Sequence, residues 1–525
     1  GGWPLTIVMT PDGKPFFAAT YVPRGNAYGR TGMLELVPRI GGLWRSRRED
    51  VLSSADSIAD EIVRLAEAPA GGGVFDEASL VRAAGAIAAG FDTGHGGFGE
   101  APKFPMPTVY PFLLRAWRRS GDAALLGMIE KSLAAMRNGG IYDQLGFGFH
   151  RYATDAAWLV PHFEKMLYDQ ALLALAYTET WQATANDFYR RTALEVFAYA
   201  MRDLRSPEGA FFAAEDADSE GEEGKFYLWS AREIASVLGA EDAEWFMQVY
   251  GVSKEGNCDA PGTGAAGANI LNRKPDDTRA PGAAEEKLRG VREGRVRPFR
   301  DDTMLADWNG LMIAALARAG AAFDEPSLTE AALRAADFIL GHMRGRDGRL
   351  FHRWRDGEAG IPAFPDDHAF LAWGLLELYA AGFDTRYLEA AIEITDDFVA
   401  RFRDDTDGGF FQAAADAVDG RALRRKAITD GVIPSANSAG LFVLARLAQI
   451  TGRQDYRRKA EQLVRQYPRN APDAALSFGA FFSALDLVVG PSQEVVVAGD
   501  PAAADTKAML AELRRRYLPR ATVIL

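Results

Sequence analysis

The densest group of polar side chains lies in two neighbouring segments, residues 142–152 and 161–169. These segments contain two of the six histidines and three carboxylates, together with several aromatic rings. Pro161 predicts the start of a long helix, so we expect His162 and Glu164 in its first turn, where the positive helix end stabilises a carboxylate and lowers the pKa of a histidine. A neutral histidine beside a carboxylate can transfer protons near neutral pH, whereas helix capping within a rigid loop is the structural alternative.

Three further predicted helices begin with side chains of the same kind. Asp307 and Trp308 open one helix, Asp367 and His368 open the next, and Asn437 lies at the start of a third. Asp, Asn and Ser before a helix are most often N-caps. Trp308 and His368 are unnecessary for capping, which favours a functional role for both.

These patterns predict a cup lined by carboxylates and aromatic rings, which suits the hydroxyls and apolar faces of a sugar. Paired carboxylates would serve glycoside hydrolysis and paired histidines would serve epimerisation, and the sequence does not choose between them. Asp143 or Glu164 would act as acid or base, and His162 with His368 as a proton-transfer pair. We predict these catalytic residues: Asp143, His162, Glu164, Asp169, Asp307 and His368. We predict these substrate-binding residues: Tyr142, His150, Trp158, Glu215, Asp216, Trp308, Asp367 and Asn437.

No metal site and no cofactor are predicted. Cys258 is the single cysteine, which excludes an internal disulfide, a Cys-x-x-Cys pair and a cysteine-based zinc site within these residues. The acidic run 215–224 resembles a calcium loop beginning at Asp216, but the twelfth position holds Tyr227 where a bidentate carboxylate is required. Phosphate-binding and dinucleotide-binding motifs are absent from the sequence. We therefore expect a small-molecule or oligosaccharide ligand.

Twelve long helices are predicted between residues 74 and 489, with apolar residues spaced for one buried face. Most of the odd-numbered helices end in a glycine followed by aromatic residues, as in Gly94–Phe98 and Asp407–Phe411. A two-helix unit that recurs with such loops at one end predicts a closed (α/α)6 toroid and a mainly α fold. An open superhelical array is the alternative.

Two α/β segments and one insertion complete the predicted organisation. Residues 1–70 begin with a hairpin around Pro11–Gly13 and continue into one helix over 49–67, which is too little for an independent domain. Residues 206–302 interrupt the helical repeat as an insertion at the rim of the toroid. Residues 490–525 are predicted to form a strand, a helix and a strand.

The composition excludes several classes of partner. The 525 residues include 59 Lys and Arg against 72 Asp and Glu, a formal net charge of −13, so nucleic acid and anionic membranes are poor candidates. No run of 18 apolar residues is present. The sequence lacks a signal-peptide pattern and predicts a cytoplasmic protein. It does not determine the oligomeric state.

Several motifs resemble those of the spermatogenesis-associated thioredoxin-like family, also called the YyaL or DUF255 family. The resemblance runs over essentially the whole chain, through Gly1–Thr6, Thr10–Phe16, Lys103–Pro105, Gly139–Asp143, Val160–Asp169, Glu215–Phe226 and Asp307–Met312. It implies a thioredoxin-like domain followed by an α/α toroid similar to six-hairpin glycosidases and N-acylglucosamine 2-epimerases. It also implies that Pro4 occupies the cis-proline position, that residues 1–70 are the C-terminal half of the thioredoxin-like domain, and that the Cys-x-x-Cys motif lies outside this chain.

The residues and the resemblance together favour a toroid that binds or processes carbohydrate, as a glycosidase or an epimerase. One alternative is a thiol-redox or protein quality-control factor, in which the redox site lies outside this chain and the toroid only binds polypeptide. The other alternative is a toroid that binds glycan without turnover.

Overall fold

The computed structural model describes residues 5–27, 29–66, 71–258, 267–274, 277, 279–416 and 425–525. The expected cis-proline position, Pro4, lies outside the described residues. The chain divides into two compact units, one of residues 1–70 with 411–426 and the other of residues 71–410 with 427–525.

The first unit contains a hairpin and two helices: β1 (Thr6–Met9), β2 (Pro15–Ala19), α1 (Met33–Ser46) and α2 (Arg48–Ala66). The two strands are antiparallel, and Gly13 takes a φ of +83° in the turn between them. Helix α1 is missing from the sequence prediction. Pro38 and the Gly41–Gly42 pair lie inside it, and both residue types disfavour a helix interior.

Helices account for most of the second unit. In chain order they are α3 (Glu77–Ala89), α4 (Val109–Ser120), α5 (Ala123–Asn138), α6 (Leu167–Thr184), α7 (Asp187–Tyr199), α8 (Ala231–Leu238), α9 (Ala240–Val249), α10 (Ala283–Arg292), α11 (Ala306–Phe323), α12 (Pro326–His342), α13 (Pro365–Gly382), α14 (Thr385–Phe402), α15 (Ala436–Thr451), α16 (Gln454–Val464), α17 (Gly479–Val489) and α18 (Ala504–Arg515). A π-helical turn (Ala200–Leu204) extends α7, and a 3₁₀ segment (Ala471–Ser477) precedes α17.

The strands of the second unit are short. They are β3 (Tyr152–Ala153), β4 (Pro161–His162), β5 (Lys165–Met166), β6 (Ala214–Glu215), β7 (Asp218–Ser219), β8 (Glu222–Glu223), β9 (Trp229–Ser230), β10 (Ala268–Asn269), β11 (Arg300–Asp301), β12 (Met304–Leu305), β13 (Phe351–Arg355), β14 (Glu358–Pro362), β15 (Gln493–Val496) and β16 (Ala521–Ile524).

Six helices of this unit form a closed ring. Helix α4 packs against α6, α6 against α11, α11 against α13, α13 against α15, α15 against α17, and α17 against α4. An outer helix precedes each of them in the chain, namely α3, α5, α7, α12, α14 and α16. Helices α6, α11 and α13 are buried on nearly every side because neighbours enclose them. The predicted (α/α)6 toroid is confirmed, and the open array is wrong.

The two ends of the ring differ in what covers them. Outer and inner helices alternate along the chain, so the inner helices run parallel and their N-termini lie at one end, which we call the open end. The insertion between α7 and α11 lies here, since β6 pairs with β5 directly before α6 and with β11. It has its own apolar cores, one of them around Trp229 and Phe246.

The C-terminal segment lies at the opposite end, which we call the closed end. Its strands β15 and β16 are parallel and joined by α18, and Arg514 of α18 donates to the Ala380 and Ala381 carbonyls in the last turn of α13. No helix in the described ranges is both long and apolar enough to cross a membrane.

Candidate active site

An axial cavity lies between the inner helices. Its walls include Leu172, Trp373 and Phe442, and the last two rings pack with their centroids 5.4 Å apart. Trp373 and Glu377 lie one turn apart on the same face of α13, so the cavity extends along the C-terminal half of this inner helix. Four charged residues line that deeper part, and we call them the charged belt: Arg115, Glu179, Arg318 and Glu377.

At the open end, three side chains form a compact cluster that we call the acidic trio: Asp307, His352 and Asp367. One ligand atom from each lies within 4.8 Å of the others. Asp307 and Asp367 belong to the first turns of α11 and α13, and His352 belongs to β13, which pairs with β12 directly before α11. Asp367 Oδ1 accepts hydrogen bonds from the backbone N–H of Asp307 at 3.0 Å and from His352 Nδ1 at 2.9 Å. Two neighbouring inner helices and one strand therefore build the cluster.

Carboxyl groups outnumber cations in the trio. Burial, and then the neighbouring Asp367, raise the pKa of Asp307 well above its usual range. The same two causes raise the pKa of the adjacent Asp366 to about 6. Burial opposes protonation of His352, but the hydrogen bond to Asp367 and the negative charge of the neighbouring carboxyls together outweigh burial and raise the pKa of His352. The raised pKa favours the neutral carboxyl form of Asp307, which can donate a proton.

The trio is also a set of described residues that could hold a metal ion. An imidazole with two carboxylates suits a divalent cation such as Zn²⁺ or Mn²⁺. Both oxygens of Asp367 already accept hydrogen bonds, because Oδ2 accepts from the backbone N–H of Phe364 at 2.7 Å. These bonds favour an acid–base role for the trio over metal binding.

A second cluster at the open end, the ion tetrad, contains Arg151, His162, Glu164 and Glu223. His162 Nδ1 lies 2.7 Å from Glu223, and His162 Nε2 lies 3.1 Å from Glu164. Arg151 Nη1 lies 2.9 Å from the same Glu164 oxygen. Burial opposes the charge on His162, but its hydrogen bonds to the two glutamates raise the pKa of His162 to about 9.

The tetrad corrects the prediction that His162 and Glu164 lie in the first turn of a helix. Pro161–His162 is the strand β4, and α6 begins only at Leu167, because β5 pairs with a strand of the insertion before the helix starts. The ring of His162 is therefore an imidazolium held by two carboxylates, and the expected neutral histidine is wrong. Its hydrogen bond to His162 lowers the pKa of Glu164, which remains a carboxylate.

Aromatic rings lie beside both clusters. Phe104, Tyr152 and His162 form a half-buried column with centroid separations of 4.8 and 5.1 Å. The buried Tyr168 packs edge-on against Trp308 at 4.8 Å, and Trp308 follows Asp307 in the chain. The column and the Tyr168–Trp308 pair place flat apolar surfaces next to hydrogen-bonding groups, an arrangement typical of ligand pockets.

Asp169 is a further buried carboxyl, in the first turn of α6. Its Oδ2 has no hydrogen-bond partner among the described residues. Burial raises the pKa of Asp169 well above its usual range, against the attraction of Arg151. Of the predicted residues, the structure therefore brings His162, Glu164, Asp169, Asp307, Trp308 and Asp367 to the open end.

Asp143 lies in a different environment from the one expected. Its oxygens accept hydrogen bonds from Arg292 Nη1 at 2.7 Å and from Lys165 Nζ at 2.8 Å. Although burial opposes ionisation, these two cations hold the pKa of Asp143 well below its usual range. Arg292 belongs to the insertion, so the carboxylate fastens the insertion to the ring. A structural role replaces the predicted acid or base.

His368 is directed towards the outer helix α14. Its Nε2 lies 2.9 Å from Asp397 of that helix, and its Nδ1 lies 2.8 Å from the Phe364 carbonyl. The ring is fully buried and both nitrogens are engaged. Both nitrogens of His162 are engaged as well, so the predicted pair of His162 with His368 is not formed.

Asn437 is held by the backbone of a glycine-aromatic loop. Its Oδ1 accepts from the Phe410 N–H at 2.7 Å, and its Nδ2 donates to the Phe410 carbonyl at 2.9 Å. Two other amides at inner-helix starts do the same, since Gln170 holds Phe149 and Asn309 holds Phe211. Asn437 thus fastens a loop to the ring in place of the predicted ligand contact.

Three other predicted binding residues are buried and bonded to protein. Tyr142 donates to Glu195 at 2.9 Å, and Trp158 Nε1 donates to the His95 carbonyl at 3.1 Å. His150 is 2% exposed, and burial followed by Lys165 lowers the pKa of His150 to about 3. A ligand cannot reach these side chains without displacing protein.

Glu215 is held by protein side chains, whereas Asp216 makes only a local hydrogen bond. Glu215 is buried, accepts from Tyr199 at 2.6 Å and lies 3.1 Å from Arg297. Asp216 is exposed and bonds only to the backbone N–H of the next residue among the described contacts.

Four candidates were outside the predicted set: Arg151, Glu223, His352 and Asp366. Asp366 lies at the start of a helix, where capping is the usual role, and Glu223 belongs to the acidic run 215–224. His352 lies in β13, and the local sequence of this strand does not indicate the carboxylates that the ring faces. Only the tertiary structure places these four side chains at the open end.

This chain is similar to known proteins in both sequence and fold. A family model described as a protein of unknown function, DUF255, matches residues 1–63. Human spermatogenesis-associated protein 20 is 33% identical over 573 residues, which cover 100% of this chain and 73% of the human protein. The rat protein of the same name is 32% identical with the same coverage.

Two solved structures superpose on this chain. A D-mannose isomerase superposes with a TM-score of 0.50 at 12% identity, over 74% of this chain and 84% of the isomerase. The cellobiose 2-epimerase from Bacillus thermoamylovorans B4167 has a TM-score of 0.48 at 11% identity, over 72% of this chain and 82% of the epimerase. At such identities the likeness concerns the fold alone.

Proposed function

The chain belongs to the spermatogenesis-associated protein 20 family, and we propose that its helical ring is a carbohydrate-processing enzyme with Asp307 as general acid. The observation that carries this proposal is the acidic trio, in which burial and Asp367 keep the pKa of Asp307 well above its usual range. A carboxyl whose pKa is raised holds its proton more firmly, and it can protonate a glycosidic oxygen or a sugar carbonyl oxygen.

His352 supplies the second proton-transfer group. Asp367 accepts from its Nδ1, which fixes the orientation of the ring. Its Nε2 has no hydrogen-bond partner in the described part of the chain, and the side chain is 19% exposed. In this proposal the ligand contacts both His352 Nε2 and the Asp307 carboxyl, which belong to the same compact trio.

Carbohydrate is the ligand class that the surroundings favour. The aromatic column and Trp308 offer flat surfaces for sugar rings, while Arg151 and Glu164 offer hydrogen-bonding groups for hydroxyls. The D-mannose isomerase that shares the fold acts, by its name, on a sugar. Fold likeness does not transfer an activity, so it only supports sugars as the first class to assay.

The proposal is tested by incubating the protein with a panel of reducing sugars and oligosaccharides and analysing the products. We expect turnover that Asp307→Asn removes and that the matched surface variant Asp216→Asn retains. A shortened oligosaccharide would identify hydrolysis, and a changed configuration would identify epimerisation. Turnover that survives in Asp307→Asn would exclude Asp307 as the acid, and calorimetric sugar binding without any product would favour the glycan-binding alternative.

A further inference from the structure

A second cavity lies at the closed end of the ring. Arg318 and Glu377 of the charged belt line both this cavity and the axial cavity, so the belt separates the two. Gln182, Arg446, Arg514 and Arg516 add polar groups to the wall of the second cavity. Four arginines and one glutamate therefore line it, in a protein whose net charge is −13.

The charged belt is balanced in charge, and one further arginine lies beside it. Arg115 lies 3.0 Å from Glu179, and Arg318 lies 3.2 Å from Glu179 and 3.6 Å from Glu377. Two arginines and two glutamates compensate each other in this chain of ion pairs. Arg446 of α15 is the next cation around the ring, and among the described residues no carboxylate lies within 4.0 Å of it.

Arg446 keeps donors that the protein does not use. Its Nη1 donates to the Ala521 carbonyl at 2.8 Å and to the Thr522 hydroxyl at 2.9 Å. Its Nε and Nη2 have no protein partner within the described ranges, and the side chain lines the cavity. Burial lowers the pKa of Arg446, and Glu377 only partly opposes this, as expected for a guanidinium without a paired carboxylate.

Helix capping explains only part of this arrangement. Cations are favourable at helix C-termini, and Arg514 meets that description because it donates to the last-turn carbonyls of α13. Arg446 lies more than one turn before the end of α15 and donates to a strand of the C-terminal segment. Capping therefore accounts for Arg514 and does not explain the N–H groups on Nε and Nη2 of Arg446.

We propose that this closed-end cavity binds a small oxyanion, a phosphate or a carboxylate group, through Nε and Nη2 of Arg446. A guanidinium presents paired N–H donors whose geometry matches two oxygens of either group. Arg318 and Arg514 add positive potential around the same point. The site is separated from the acidic trio by the charged belt and does not depend on the function proposed for the trio.

The test is thermal unfolding of the whole chain with inorganic phosphate or acetate, against chloride at the same ionic strength. A ligand that binds the folded state raises Tm, and at tenfold excess over Kd we expect about 1–2 °C for a chain of this size. Arg446→Met keeps the apolar stem and removes the donors, so the anion-specific rise should disappear. A rise with phosphate alone or with acetate alone identifies the anion. No rise with either anion, or an equal rise in Arg446→Met, would overturn the proposal.

Glu377→Gln provides a second test that does not depend on the folding of Arg446→Met. It removes the one carboxylate that lines the cavity among the described residues, so calorimetry should show phosphate or acetate binding about threefold tighter or more. If these arginines have a purely structural role, neither the original protein nor Glu377→Gln will bind phosphate or acetate. Unchanged or weaker binding in Glu377→Gln would contradict the proposed site.

Discussion

Asp143 and Asp307 are equally buried, at 7% and 6% exposure, yet they lie in opposite electrostatic environments. Asp143 faces the two cations Arg292 and Lys165, which hold its pKa well below the usual range despite burial. Asp307 is buried beside a second carboxyl, Asp367, and its pKa is raised well above the usual range. In this ring, burial alone does not mark a functional carboxyl. The balance between cations and carboxyls around it separates a structural aspartate from a candidate acid.

The largest expected effect is on stability, in Asp143→Ala. This change leaves Arg292 and Lys165 buried without their counter-charge, and we expect a loss of about 3–5 kcal/mol in the free energy of unfolding. Urea unfolding of the variant and of the original protein measures the difference. A loss below about 1 kcal/mol would mean that Asp143 is not the structural carboxylate that its ion pairs indicate.

Asp307→Asn should lower activity and leave stability nearly unchanged, in contrast to the loss of stability expected for Asp143→Ala. Asparagine resembles the neutral carboxyl in shape, so we expect the free energy of unfolding to change by less than about 1 kcal/mol. In the sugar-turnover assay, kcat should fall by about 10²–10³-fold because the proton donor is gone. Unchanged kcat together with a large loss of stability would place Asp307 in the same class as Asp143.

We expect the ion tetrad to make the free energy of unfolding depend on pH. The pKa of His162 is about 9 in the folded protein against an ordinary value of 6.5, so its stabilisation is complete below pH 6.5 and is lost as the pH rises through 9. We expect His162→Asn to remove about 2 kcal/mol of this pH-dependent stability between pH 6.5 and 9.

The measurement is denaturant unfolding of both proteins across that range. Glu164 and Glu223 contribute in the opposite direction, because their lowered pKa values make their stabilisation disappear only in acid. Parallel pH profiles for the two proteins would show that His162 is not held as an imidazolium.

The smallest effect is expected at Asp216, which the sequence predicted as substrate-binding. Its side chain is exposed and bonds only locally, so Asp216→Asn should change the free energy of unfolding by less than about 0.5 kcal/mol. Turnover should also be unchanged in the same assay. A loss of activity would show that the insertion supplies a ligand contact which the structure does not place in the mouth of the ring.

The ring itself could be predicted from the sequence because helix periodicity and the glycine-aromatic loops are local patterns. The polar starts of the inner helices could be predicted for the same reason, and Asp307 and Asp367 were found in this way. The pattern does not show the direction in which each side chain points. Asn437 and His368 were therefore predicted to line the cavity, but Asn437 holds a loop and His368 faces α14.

Partners that are distant in the chain account for the remaining differences. Arg292 lies 149 residues from Asp143, and Glu223 lies 61 residues from His162. Both distant partners come from the insertion. Pro161 was taken as a helix start, but the pairing of β5 with β6 delays α6 to Leu167. Whether cations surround a buried aspartate depends on the tertiary structure. The presence of such cations separates the structural aspartate Asp143 from the candidate acid Asp307.

The contrast between Asp307 and Asp143 is tested most directly by ¹³C NMR titration of aspartate side-chain carboxyls in selectively labelled protein. The two resonances are assigned as those missing in Asp307→Asn and in Asp143→Asn. We predict that at pH 7 the Asp307 carbon has the chemical shift of a protonated carboxyl and the Asp143 carbon has that of a carboxylate. An Asp307 signal that is already ionised at pH 7 and titrates with the exposed aspartates would contradict the account.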